Sequence, residues 1–232
     1  MVAKVKQNNL KTDYNLRTAS PKEVRFFVML RKRGVEKKHY FCRMEKTYAY
    51  RADDFTATLP VAEYMARFRD VPRFLECCRQ CRNFGKSWAC PPYDFDVDRT
   101  MDDYESAFFV AVRITPAERI PIGEAGALLL PERKRLERRL LELEKESGGR
   151  MFGFTGICSF CPEGTCTRPS GEPCRHPGLV RPSLEACGFN VAQTSEELLG
   201  LPMVWSSDGF VPAYLVLVGC LFHNQKTIEW KK

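Results

Sequence analysis

Residues 106–114 read SAFFVAVRI, a nearly unbroken apolar run of aromatic and β-branched residues with one charge, Arg113. That composition and length describe a buried β-strand. A second run, AYLVLVGCLF (213–222), has the same character. Working outward, PVAEYMARFRDVPRFLECC (60–78) puts Val61, Tyr64, Met65 and Phe68 on one face, which predicts a helix broken near Pro72. PERKRLERRLLELEKES (131–147) opens on a proline, spaces Leu136, Leu140 and Leu143 on one face and stops before Gly148-Gly149, a charged amphipathic helix. KTYAYRA (46–52) and MFGFTGI (151–157) read as short strands, and SLEACG and SEELLG as short helices. Strands separated by helices and two irregular cysteine-rich stretches predict an α+β fold, a mixed sheet with packed helices and two metal-binding loops.

At 232 residues the chain has the length of one large domain, and its 44% hydrophobic and 28% charged content is that of a globular protein. No apolar run approaches the roughly 20 residues that cross a bilayer, and the N-terminus does not resemble a secretory signal, so a cytoplasmic location is expected. The net charge of +7 is uneven: residues 1–51 hold 14 Lys and Arg against 4 Asp and Glu, leaving 22 against 25 for the rest. Residues 1–19 are polar and aperiodic, and Ser20-Pro21-Lys22-Glu23 forms a capping box for a short helix over 21–33 that ends at Gly34. Residues 1–40 are therefore expected to be a basic, partly disordered extension, and 41–232 a single cysteine-rich domain. A basic arm suits nucleic acid or an acidic protein, although charge runs are more often solvated surface.

The chemistry lies in the cysteines. There are 11, an odd number, and in a reducing compartment thiols stay free or hold metal. Residues 77–92, CCRQCRNFGKSWACPP, contain Cys78-x2-Cys81-x8-Cys90 with Cys77 adjacent. A second set, Cys158-x2-Cys161-x4-Cys166-x7-Cys174, lies in a Pro- and Gly-rich stretch over 158–182. A C-x-x-C turn lets both thiolates face one point while backbone N–H groups turn toward the sulfurs. Zinc takes four such ligands; joining 78/81 to 158/161 would leave Cys90, Cys166 and Cys174 without a role. Iron–sulfur clusters use cysteine almost exclusively, and Cys90 and Cys161 each precede a proline, as one ferredoxin ligand does. An iron–sulfur cluster of the 4Fe–4S type, one or two per chain, is the leading expectation and zinc the alternative.

The second set has enough thiols for a complete site. The first has three, leaving its fourth position to Cys77, Cys42, another residue or nothing. Cys42, Cys187 and Cys220 read as buried small hydrophobes. Neither H-E-x-x-H nor H-x-E spacing occurs among His39, His176 and His223; His176, close after Cys174, is an alternative ligand or, more in keeping with its setting, a solvated loop residue. Arg168, Arg175 and Arg181 surround the second set, for the sulfurs, for an acidic partner or for solvation. Trp88 and Phe84 either shield the first site or fill core.

The segment CRQCRNFGKSWACPP, followed by C-x-x-C, EPCRHP and RPSLEACGFNV, resembles an uncharacterised family of predicted metal-binding proteins found in bacteria and archaea, over about residues 42–222. The resemblance implies a cysteine-bound metal, iron–sulfur in type, with no settled reaction. It assigns ligand positions to Cys78, Cys81, Cys90, Cys158, Cys161, Cys166 and Cys174, and departs from the pattern in a wider gap before Cys166. The functions that follow are electron transfer or redox activation of a protein partner, a zinc-stabilised binding module with a basic arm, and an enzyme working at the three-cysteine site.

Overall fold

The computed structural model describes residues 47–154, 158–162 and 164–231. The expected helix over 21–33, the basic extension, His39 and Cys42 lie outside them. Eight principal elements follow in the order β1 (Tyr50–Pro60), α1 (Val61–Phe68), α2 (Val71–Arg79), β2 (Ser106–Pro116), α3 (Gly126–Ser147), β3 (Arg150–Phe152), α4 (Val191–Leu199) and β4 (Leu215–His223). The four strands form one sheet in the order β1-β2-β4-β3, so the fold is α+β as expected.

The expectation of a mixed sheet is corrected, because all three strand pairings are antiparallel. Val61 N–H donates to Glu105 C=O at 2.9 Å, so β2 begins beside the residue where β1 ends and must run back along it, pairing Pro60 with Ser106. The two runs singled out in the sequence lie together in the middle, with Phe109 opposite Cys220 and Phe108 opposite Leu221.

Alternation along β2 divides the core between the two faces of the sheet. Ala107, Phe109 and Ala111 join α1, α4 and Phe189 on one face, while Phe108, Val110, Val112 and Ile114 pack against α3 on the other. Tyr64 of α1 is fully buried at the centre of the first face. Its ring stacks on Phe189 at 4.5 Å and meets the edge of Phe109 at 4.6 Å, and its hydroxyl bonds Thr194 Oγ1 at 3.0 Å. Burying such a ring is worth about 1.5–3 kcal/mol, and the hydroxyl's partner avoids the cost of desolvating it alone. On the opposite face Gly219 leaves room for the helix, since a Cβ there would lie 2.6 Å from Leu140 Cδ1 and 2.9 Å from Phe154.

Two helices differ from their expected form. The break in the 60–78 helix falls at Arg69-Asp70, ahead of Pro72, because this segment pairs with residues 187–190. Asp70 N–H donates to Gly188 C=O at 2.8 Å, Asn190 N–H to Phe68 C=O at 2.8 Å, and Arg69 Nε to Cys187 C=O at 2.9 Å. Asp70 then caps α2 by accepting from Arg73 N–H, and Pro72 sits in the first turn, where it forfeits no bond. Helix α3 starts at Gly126, a turn before Pro131, held by the fully buried Leu128. Its charges are not all on a solvated face: Glu132, Arg133 and Glu137 are buried.

The sequence motif LEACGFN thus serves as the backbone partner of the segment that launches α2. Gly188 has φ of +90°, and a Cβ on it would meet Val71 Cα at 2.9 Å and Cγ2 at 2.8 Å. We expect Gly188→Ala to lower stability by about 1–3 kcal/mol, read as a lower urea midpoint, because it forces a left-handed backbone on alanine against main-chain atoms. An unchanged midpoint would show that α2 does not dock as described.

Candidate metal centre

The first cysteine loop grows from the end of α2, which carries exposed Cys77 and half-buried Cys78. Consecutive tight turns follow. Cys81 N–H donates to Cys78 C=O, Phe84 N–H to Cys81 C=O and Cys90 N–H to Ser87 C=O, each at 3.0 Å, while Gly85 N–H reaches Pro91 C=O at 2.9 Å and closes the loop on itself. The Cys90 thiol is pushed up to about 11, first by burial and then by Cys81, Cys78 and, from the second loop, Cys158; Arg168 pulls the other way. Cys78 is raised by burial, by Cys81, by Glu185 and by Cys77. A bound cation reverses this balance, since it favours the thiolate.

The second loop leaves β3 and is anchored to α3. Ser159 Oγ donates to Glu137 Oε2 at 2.7 Å, and Glu137 is itself paired with Arg133 at 3.0 Å in a buried i,i+4 bridge. Burial raises the Cys158 thiol, opposed by the Phe160 N–H and by Arg133, with Glu137 and Cys161 adding to the rise. Farther along, His176 N–H donates to Cys174 Sγ at 3.3 Å, and in the first loop Asn83 N–H approaches Cys81 Sγ at 3.5 Å. Cys81, Cys158 and Cys174 therefore each accept from the backbone N–H two residues on, the arrangement that stabilises sulfur as an anion and ligand.

One arginine joins the loops. Arg168 Nη1 donates to Ser87 C=O at 2.9 Å and to Cys90 C=O at 2.5 Å, and its Nη2 donates to Pro92 C=O. The same guanidinium lies 5.0 Å from the Trp88 ring centre, and Trp88 Nε1 returns a bond to Thr167 Oγ1 at 3.2 Å. Thr167 Oγ1 donates in turn to Pro173 C=O at 2.9 Å. At the far end of the loop Arg181 pairs with Glu144 of α3, whose carboxylate also accepts from Met151 N–H of β3 at 2.6 Å.

A cavity of about 420 Å³ opens between the loops, lined by Cys158, Cys161, Cys166 and Cys174 together with Trp88, Phe160 and His176. All four cysteines of the second set line this one space, and thiols of which two, Cys158 and Cys174, accept backbone N–H bonds are donors of the type that zinc and iron–sulfur centres take. Cys78, Cys81 and Cys90 are not on its wall; the Cys90 thiol is raised by the other two and by Cys158. Among the described residues no three His, Cys, Asp or Glu side chains gather tightly enough to hold one ion.

Cys187 and Cys220 are buried in the core, as their apolar settings suggest. His223 is buried in β4, whereas His176 is half-exposed in its loop and lines the cavity. Arg168 and Arg181 are engaged in structural bonds, so simple solvation does not describe them. Glu137, Glu144 and Thr167 were not singled out from the sequence; the i,i+4 spacing of Arg133 and Glu137 was the one available signal.

Burial alone would raise the Glu144 carboxyl, but Arg181 and the Met151 N–H outweigh it and hold the group below its ordinary value of 4.5. Its stabilising contribution is thus complete above that value and lost as pH falls through the lower folded one. Glu144→Gln should cost about 1–3 kcal/mol near neutrality, and the gap to the wild type should narrow progressively as pH falls below the ordinary carboxyl range in urea unfolding. A gap independent of pH would contradict this.

No curated protein and no solved structure matches the chain. A family model described as predicted metal-binding protein (DUF2284) matches residues 68–222, from the end of α1, through both cysteine loops, to β4. The chain therefore belongs to this family of predicted metal-binding proteins.

Proposed function

We propose that the chain is an iron–sulfur protein that carries a 4Fe–4S cluster on Cys158, Cys161, Cys166 and Cys174 and serves electron transfer or redox activation of a protein partner. The observation that carries this reading is the single 420 Å³ cavity walled by those four thiols. A lone zinc ion draws its sulfurs to about 2.3 Å from one point and needs no such space, whereas a polynuclear cluster fills one. When bound, the cluster supplies a reversible one-electron couple.

The protein's own residues have three tasks in this reading. Glu137, through Ser159, and Glu144, through Arg181, fix the two ends of the second loop on α3. The N–H groups of Phe160 and His176 stabilise sulfur charge, which raises the potential. Trp88 and Phe160 cover part of the wall and limit water. Cys78, Cys81 and Cys90 would hold a second centre beside the first, with three thiols and an open position.

Anaerobically purified protein should contain about four irons and four sulfides for each occupied site, with a broad visible absorbance that bleaches on reduction and an EPR signal from the reduced form. Cys158→Ser and Cys174→Ser should each remove one site's iron, and Cys220→Ala should not. Stoichiometric zinc without sulfide would overturn the reading in favour of a zinc-stabilised module.

A further inference from the structure

The wall of the cysteine cavity also bears Arg82 and Lys86 from the first loop and Arg175 from the second. All three are exposed, and none has an ion-pair partner among the described residues. No carboxylate is found among the described lining residues, although 29 Asp and Glu occur in the chain. Two of the three are anchored: Lys86 by its backbone, whose N–H donates to Asn83 C=O at 3.0 Å, and Arg175 by its side chain, whose Nη1 donates to Thr165 C=O at 2.8 Å. The same wall bears Trp88, Phe160, Pro162 and Pro169. Apolar and aromatic surface edged by unpaired like charge is the make-up of an interface that selects its partner by charge.

We propose that this rim docks a small acidic protein electron carrier, which exchanges one electron with the centre in the cavity. The proposal rests on the iron–sulfur reading above. The step balances as one electron leaving the reduced carrier and one entering the oxidised cluster, with no bond or proton changing hands. The cations steer an acidic carrier to the place where the thiols reach the surface, and a basic carrier is repelled. Rim charges of this kind act chiefly on the association rate and its salt dependence.

The test is stopped-flow bleaching of the holoprotein by a pre-reduced acidic 2Fe–2S ferredoxin, with iron, sulfide and midpoint potential measured on the same preparation. The second-order rate should fall at least about tenfold between about 20 mM and 300 mM salt. At low salt it should fall by a similar factor in Lys86→Glu/Arg175→Glu, with iron content retained, while oxidation of the reduced protein by basic cytochrome c should speed up. The neutral pair Arg82→Gln/Lys86→Gln, which leaves the Arg175–Thr165 bond intact, should show a smaller loss in the same direction. Equal ferredoxin rates in wild type and variants would overturn the proposal. So would a change confined to the midpoint potential, which would show that the cations serve only the cluster's charge. Loss of single-stranded DNA binding in the variants, with the ferredoxin rate unchanged, would reassign the rim to nucleic acid and overturn it as well. Absence of iron and sulfide in the wild type would instead refute the iron–sulfur reading, and the docking proposal with it.

Discussion

The guanidinium of Arg168 carries the contact on which the candidate site depends. It leaves the second cysteine loop, crosses to the first and takes up the carbonyls of Ser87, Cys90 and Pro92 while lying against Trp88. Hydrogen bonds from a charged donor are worth about 1.5–3 kcal/mol each, and here they are spent on loop backbone that no helix or sheet satisfies. A lysine could not reproduce the fork, because its ammonium is a point charge on a flexible stem. Together with the Trp88–Thr167 bond, this contact ties two loops that lie about 80 residues apart in sequence, and Cys158 lies near enough to Cys90 to raise its thiol.

The sheet makes that crossing possible. β2 and β4 bury one another's central residues, and their two faces are closed by α1 with α4 and by α3. The first loop is held in place by the pairing of residues 68–70 with 187–190, and the second by the carboxylates of Glu137 and Glu144 on α3. The first loop is thus fixed where it leaves α2, and the second at both margins on α3. This anchoring suits a metal centre, whose ligands must be deprotonated and oriented by a rigid surround.

Much of this was legible from residue type. The runs at 106–114 and 213–222 are strands because a continuous apolar stretch of that length has one economical use, and both lie at the sheet's centre. The turn at Cys78–Cys81 follows from its spacing, and Cys187 and Cys220 were rightly read as core. The antiparallel direction of the sheet was not legible, since it depends on the Val61–Glu105 bond between elements far apart in sequence. Nor was the inward face of α3, where charges meet partners from another segment: Arg181 for the half-buried Glu144, Ser159 for the buried Glu137. Arg168 could be read as serving the sulfurs, an acidic partner or solvent, and its bonds to the first loop's carbonyls were not legible for the same reason. Long-range pairing leaves no local trace in composition or period.

The central claim is that the four thiols of the second loop enclose a polynuclear iron–sulfur centre. Iron X-ray absorption on anaerobically purified protein tests it most directly. The account predicts an all-sulfur first shell at about 2.3 Å together with an iron–iron scattering shell, both lost in the Cys158→Ser/Cys174→Ser double variant. A zinc edge with one shell of sulfur, no metal–metal shell and no iron would contradict it.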